Sequence, residues 1–247
     1  MKKYGLIGHP LGHSFSQTYF NTKFQQEHLD CQYENYDLDA PEKITELLLN
    51  NPDIIGLNVT SPYKEKILEY IDYYDSIVTE IKSANTLLRL PDGKMFGYNT
   101  DVVGFSTLLH KAMEKSPKPY AALILGTGGA SKAVQYVLRQ ENIPFHVVSR
   151  HPEKGDFTYE SLSPETIQCH PLLVNATPLG THPHTEEAPD IPYSAITADH
   201  LLIDLIYNPE ETLFLRRGRQ QGARTANGLL MLHSQAQASW QLWNHPK

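Results

Sequence analysis

The segment that most restricts the fold is Leu123-Ile124-Leu125-Gly126-Thr127-Gly128-Gly129-Ala130-Ser131. A nearly continuous apolar run from Tyr120 leads into it, as a parallel strand covered on both faces requires. A helical pattern over 130–140 follows. Strand, glycine turn and helix start thus arrive in the order that aims unpaired N–H groups and a helix's positive end at a phosphate. Gly126 permits the tight turn, and Gly128 removes the Cβ that would keep backbone from a pyrophosphate, with Thr127, Gly129 and Ala130 completing the loop. Ser131 stands where the third glycine of the G-x-G-x-x-G pattern falls. A glycine turn can be purely structural, but this one has the context a dinucleotide site demands.

The end of the next strand selects the dinucleotide. Enzymes that use NAD place Asp or Glu about 20 residues beyond the first glycine, on the ribose hydroxyls. Here Val147-Val148-Ser149-Arg150 reaches that place. A carboxylate would repel a 2′-phosphate, whereas a guanidinium grips it through charge-assisted hydrogen bonds. Lys154 adds charge nearby. A solvated loop arginine is the ordinary alternative, and NADP is the favoured reading.

Upstream, strand and helix alternate: strand over Tyr4–Gly8, helix Ser16–His28, strand Gln32–Leu38, helix Pro41–Asn50, strand Ile54–Thr60, and a helix beginning near Lys64. Asn85–Leu90 and Lys94–Tyr98 flank Pro91-Asp92-Gly93, a hairpin signature. A helix over 101–113 and a linker over 115–119 lead to the glycine turn. Strands at Phe145–Val148, Leu172–Asn175 and Leu201–Leu205 continue a second βαβ series, with a short helix over Ser163–Gln168. A helix from Gly228 to Trp243 is expected to pack back on the first domain. The reading is α/β with two domains: an N-terminal substrate domain with a mostly parallel sheet (1–101 plus 226–247) and a C-terminal Rossmann-like NADP-binding domain (102–225).

The chain of 247 residues has a formal net charge of -7, which argues against a nucleic-acid or anionic-membrane partner. No apolar run approaches the ~20 residues that span a bilayer, and the apolar start is too short for a signal peptide, so a cytoplasmic protein is expected. Cys31 and Cys169 lack metal-ligand spacing and read as free thiols. His182-Pro183-His184 reads as a surface loop, because no further ligands accompany it.

Four polar segments fall at strand ends, where open α/β sheets bind ligands: Ser14-Phe15-Ser16, Asn58 to Lys64, Ser83 to Thr86, and Gly97 to Asp101. Their hydroxyls and amides suit a polyhydroxylated acid, whose groups need both donors and acceptors. Lys64 and Asp101 are the titratable pair. A lysine beside a carboxylate stays charged and can hydrogen-bond a developing alkoxide or pass a proton, and both roles stay open. Lys64 as a solvated lysine and Asp101 as a helix N-cap are ordinary alternatives, the latter compatible with catalysis.

Taken together, these segments resemble the shikimate dehydrogenase family along essentially the whole chain. The resemblance runs through His13-Ser-Phe-Ser16, Asn58-Val-Thr60-x-Pro62-x-Lys64, Ala84-Asn85-Thr86, Asn99-Thr100-Asp101 and Gly126-x-Gly128-Gly129-Ala130. It continues through Asn175-Ala-Thr177-Pro-Leu-Gly180, Asp204-Leu205-Ile206-Tyr207-Asn208-Pro209 and Asn227-Gly228-x-x-Met231-Leu-x-x-Gln235-Ala236. It implies NADPH-dependent reduction of 3-dehydroshikimate to shikimate in a cleft between the domains, with Lys64 and Asp101 as the catalytic pair. Ser14, Ser16, Thr60, Asn85, Tyr207 and Gln235 would hold the substrate. Gly126, Thr127, Gly128, Gly129, Ala130, Ser149, Arg150, Thr177, Leu205, Gly228 and Met231 would meet the cofactor, although Met231 and Leu205 fit an apolar core equally well. No metal is implied, and the expected partner is the small-molecule substrate, in a monomer or homodimer. The chain departs from the family where Ser149-Arg150-His151 replaces the usual Asn-Arg-Thr, where Thr181 replaces a common Met, and where the stretch 151–174 is trimmed. Rival readings are a quinate/shikimate dehydrogenase using NAD, a non-catalytic ligand sensor, and a folate-type dehydrogenase that would need a larger aromatic pocket.

Overall fold

The structure, a computed structural model, describes residues 1–12, 14–114 and 118–245. The chain divides into two compact units, Met1–Thr100 with Ala236–Lys247, and Asp101–Gln235. His13 and most of the expected linker over 115–119 lie outside the described residues.

In the first unit the elements run β1 (Lys2–Gly8), α1 (Phe15–Gln26), β2 (Cys31–Asp37), α2 (Ile44–Asn50), β3 (Ile54–Val59), β4 (Tyr73–Tyr74), α3 (Ser76–Ile81), β5 (Thr86–Arg89) and β6 (Met95–Tyr98). The sheet order is β2-β1-β3-β5-β6-β4. β1 lies parallel to both β2 and β3, while β5 runs antiparallel to β3 and β6. Because β5 runs backward, its first residue lies level with the ends of β3 and β6: Asn58 opposes Thr86, and Thr86 opposes Tyr98. The polar segments that end β3, open β5 and end β6 therefore meet at one end of the sheet.

No α-helix starts near Lys64. Tyr63 and Ile67 are buried four positions apart, which anchors one turn of inward face, and the chain makes only a 3₁₀ stretch over Lys66–Tyr70 before entering β4. α3 had no periodic signal. It is set by its ends, Asp75 accepting from the Val78 N–H at 2.8 Å and Lys82 closing the helix in the left-handed region at φ 52°.

The second unit contains α4 (Asp101–Met113), β7 (Ala122–Leu125), α5 (Gly129–Gln140), β8 (Phe145–Ser149), β9 (Phe157–Thr158), α6 (Pro164–Gln168), β10 (Leu172–Asn175), β11 (Leu201–Asp204), α7 (Leu213–Gln220), β12 (Arg224–Ala226) and the start of α8 (Leu229–Asn244). All its strand pairs are parallel, in the order β12-β11-β10-β7-β8-β9. That is the doubly wound order in which the strand sequence reverses between β7 and β10. Leu123, Leu125, Leu173 and Leu202 are fully buried with Phe214 and Ile167 in one core. The trimmed stretch still supplies an edge strand, β9, only two residues long.

The C-terminal part of α8 belongs to the first unit. Trp243 is buried with Tyr4, Phe20 and Tyr33, and its indole N–H donates to the Leu87 carbonyl at 2.9 Å.

Candidate functional site

The substrate-side residues are arranged by backbone stitching at the sheet edge. The Thr60 N–H donates to the Ile7 carbonyl, the Val59 N–H to the Asn85 carbonyl, and the Asn85 N–H to the Tyr98 carbonyl. The Ala84 N–H donates to the Lys64 carbonyl at 2.8 Å, and the Tyr63 hydroxyl just before it donates to Leu38. Lys64 therefore projects from backbone held on both sides. Ser14 is the N-cap of α1, its Oγ accepting from the Gln17 N–H at 3.1 Å. Capping uses a lone pair and keeps the hydroxyl proton for another partner. Helix α1 thus starts at Phe15 rather than Ser16, and Ser16 reaches inward to the Tyr33 hydroxyl.

Beneath the edge lies a buried polar hub that sequence reasoning assigned no role. Tyr33 donates to Asn58 Oδ1 at 2.8 Å, and Asn58 Nδ2 donates to Ser239 and Thr86. Thr86, Thr100 and Ser239 join hydroxyl to hydroxyl at 2.8–3.1 Å. The Thr100 N–H donates to Asn85 Oδ1 at 2.7 Å. A backbone N–H can only donate, so the Asn85 oxygen is fixed inward, and a ligand group approaching Asn85 meets its NH₂. Asn58, Thr86 and Thr100 lay inside the quoted motifs, whereas nothing in the sequence signalled Ser239. Burial pushes the Tyr33 phenol well above its usual range.

Asp101 follows Thr100 as the first residue of α4 and is buried. It stands inside the first turn, one place beyond the N-cap position considered for it, where a carboxylate complements the helix dipole.

In the second unit the four central strands end level, Leu125 opposite Val148 and Asn175, and Asn175 opposite Asp204. Gly126 has φ +108° and hydrogen-bonds through its N–H to Val148. A Cβ there would sit 3.0 Å from Thr177 Cγ2, so the turns after β7 and β10 touch at the strand reversal. Gly128 differs. Its φ is -75°, and an added Cβ would meet no atom within 4 Å. No protein atom crowds that position, so backbone N–H groups at the start of α5 stay open to a ligand. Gly128 caps α5 without a side-chain acceptor, and the first turn carries no acidic residue, leaving an electropositive cradle suited to a pyrophosphate. Thr127, Gly129 and Ala130 line the same turn. Ser131 is fully buried and accepts from Gln135, fitting where a third glycine would pack.

At the end of β8, Ser149 is buried and accepts from the His151 N–H at 3.0 Å, while Arg150 is exposed beside Tyr159. The Ser149 hydroxyl and Arg150 guanidinium fit a phosphorylated ribose, while the nearby Asp156 carboxylate is taken up by the Val147 N–H at 2.8 Å. Leu205 and Tyr207 follow β11, and the Leu205 carbonyl would lie 2.1 Å from a Cβ on Gly228, so residue 228 must be glycine for the two segments to meet. The Gly228 N–H donates to Ile206 at 2.9 Å. Met231 is buried and, with Gln235, backs onto Gly104 of α4. Packing is therefore a real role for Met231. Among the described residues, no group of three or more His, Cys, Asp or Glu is placed to hold a metal, and no helix is long and apolar enough to cross a membrane.

The doubly wound sheet, its glycine turn without a side-chain cap and the arginine after β8 define a dinucleotide-binding α/β protein. The model of the shikimate dehydrogenase substrate binding domain matches residues 6–87. A shikimate dehydrogenase (NADP(+)) of Clostridium beijerinckii is 36% identical over 98% of this chain and 92% of its own length, and one from Methanococcus maripaludis is 34% identical over 98% and 91%. The crystal structure of Thermus thermophilus shikimate 5-dehydrogenase in complex with NADP(H) and shikimate superposes with a TM-score of 0.86 at 30% identity, covering 98% of this chain and 93% of that one. The chain belongs to the shikimate dehydrogenase family.

Proposed function

We propose that this protein is an NADP-dependent dehydrogenase that reduces the 3-keto group of 3-dehydroshikimate to the alcohol of shikimate, reversibly. The observation that carries the cofactor half is Gly128, which opens α5 with no side-chain cap, no acidic residue in the first turn and no protein atom over it, as a pyrophosphate site requires. The first unit takes the substrate, and the second takes NADP along the ends of β7, β8, β10 and β11. When bound, NADPH supplies the hydride.

Each side chain then has a defined task. Lys64, held by its carbonyl and by Tyr63, presents a cation to the oxygen that gains charge as the carbonyl is reduced. Asp101 is its catalytic partner, and the pair can hold or pass the proton the alkoxide needs. Ser14 offers a hydroxyl proton and Asn85 an NH₂, while Ser16 and Thr60 add hydroxyls for the substrate's polar rim. Tyr207 and Gln235 complete its contacts. Ser149, Arg150, Thr177, Leu205, Gly228 and Met231 serve the cofactor, with Arg150 on the 2′-phosphate. The protein acts in the cytoplasm, as a monomer or homodimer.

The test is an assay of NADPH oxidation with 3-dehydroshikimate, repeated with NADH and, in the reverse direction, with quinate and NAD. We expect the highest kcat/KM for the NADP and shikimate pair. A preference for NAD with quinate would overturn the assignment of Arg150. Binding without turnover would indicate a ligand sensor.

A further inference from the structure

Asp204 ends β11 fully buried, and its hydrogen-bond donors among the described residues are neutral. Asn175 Nδ2 donates to Oδ1 at 3.1 Å, the Ile206 N–H to Oδ1 at 3.0 Å, and the Thr212 hydroxyl to Oδ2 at 2.6 Å. Thr212 in turn caps α7 by accepting from the Leu215 N–H. One carboxylate therefore ties together the turns after β10 and β11 and the start of α7.

The polarity of this chain of bonds is determined throughout. An ionised carboxylate only accepts, so Asn175 turns its NH₂ toward Asp204 and its oxygen away. That oxygen accepts from the Thr177 N–H at 3.0 Å and from the Thr177 hydroxyl at 2.7 Å. The Thr177 proton is thus committed, and its Oγ1 already accepts from the Leu179 N–H at 3.2 Å. Its second lone pair can meet only a donor. Thr177 is half-buried beside Gly126, where the chain turns at the strand reversal. The adenosine ribose belongs at the end of β8, so the ends of β10 and β11 lie on the nicotinamide side.

We propose that Asp204 is a positioning residue which, through Asn175, fixes Thr177 Oγ1 as a hydrogen-bond acceptor for a donor on the nicotinamide half of NADP. That donor is a ribose hydroxyl or the carboxamide N–H. The inference rests on the proposed cofactor site. Burial pushes the Asp204 carboxyl up to about 6 despite its hydrogen bonds, so it is mostly ionised and accepting at neutral pH and above.

Direct titration of NADP and of 2′,5′-ADP, which lacks the nicotinamide half, tests this without turnover. Thr177→Val should weaken NADP about tenfold, the loss of one good hydrogen bond, and leave 2′,5′-ADP unchanged. Thr177→Ser should restore binding. Asp204→Asn should weaken NADP several-fold while melting no lower than the wild type at neutral pH, a split that loss of fold would not give. The 3-acetylpyridine analogue of NADP, which has no carboxamide N–H, identifies the donor: the Thr177→Val effect persists for a ribose hydroxyl and vanishes for the carboxamide. Wild-type NADP affinity in both Thr177→Val and Asp204→Asn, or equal loss of 2′,5′-ADP, would overturn the proposal. Failure of the wild type to bind either ligand would remove the cofactor site itself, and the relay with it.

Discussion

Alanine at Gly128 and alanine at Gly126 should separate the two reasons a chain keeps glycine. At Gly128 the backbone is ordinary, φ -75°, and the new methyl meets no protein atom within 4 Å. The cost to the fold is the difference between Gly and Ala at an N-cap, roughly 0.5–1 kcal/mol. For a chain of this size that lowers Tm by about 2–4 °C at most. The methyl nevertheless fills the space through which a pyrophosphate must approach the α5 amides. An NADPH dissociation constant at least tenfold weaker is expected, or about 1.4 kcal/mol, with KM for 3-dehydroshikimate unchanged. At Gly126, φ +108° and a Cβ 3.0 Å from Thr177 Cγ2 should cost the fold about 1–3 kcal/mol from backbone strain, with crowding added. The assays are thermal melts and cofactor titration on both variants. If Gly128→Ala binds NADPH as the wild type does, the open space above Gly128 is not the phosphate site.

Other outcomes follow from named groups. Asp204 has its carboxyl raised from 3.8 to about 6 by burial, so the folded protein holds a proton that the unfolded chain has released. Its contribution to stability therefore falls as pH rises from about 4 to 6, by about 3 kcal/mol for a shift of roughly two units. Melts of Asp204→Asn should show a stability gain over the wild type that appears across that window and is level above it. A constant offset at all pH values would contradict the assignment. Arg150→Ala should raise KM for NADPH by tens-fold and leave KM for NADH nearly unchanged, and equal effects on both would remove Arg150 from the 2′-phosphate. Ser239→Ala should cost about 1–3 kcal/mol in denaturant unfolding, because Asn58, Thr86 and Thr100 lose a buried partner. It should also raise KM for the substrate by loosening Asn85, and an unchanged KM would confine the hub to stability.

The sequence made the parallel strands and the glycine turn legible because they obey strong local rules. Leu123–Leu125, Leu172–Val174 and Leu201–Ile203 are apolar on both faces because both faces are covered, and Gly126 and Gly128 sit where strand becomes helix. Elements fixed by their ends or by a neighbouring edge were harder to see. Strands β4, β9 and β12 are too short to show alternation, α3 is made by the Asp75 cap, and α7 went unread. The stretch after Lys64 suggested a helix because its polar residues tolerate one, yet Tyr63 and Ile67 are its fully inward anchors, and Leu68, Tyr70 and Ile71 pack on the same core only in part. Within the site, motif residues were visible as types, while their hydrogen-bond directions were not. The inward turn of the Asn85 oxygen depends on Thr100, and the acceptor character of Thr177 depends on Asp204, which lies far along the chain and next to it only across the sheet.

The central claim is that Lys64 acts on a carbonyl reduced by NADPH. Its most direct test is steady-state NADPH oxidation with 3-dehydroshikimate by the wild type and Lys64→Ala, side by side. Rapid NADPH consumption with matching formation of shikimate is expected of the wild type. In the variant kcat should fall by about 100-fold or more at a similar KM, as for an interaction made mainly in the transition state. A wild type that leaves NADPH untouched, or a variant that turns over at the wild-type rate, would contradict it.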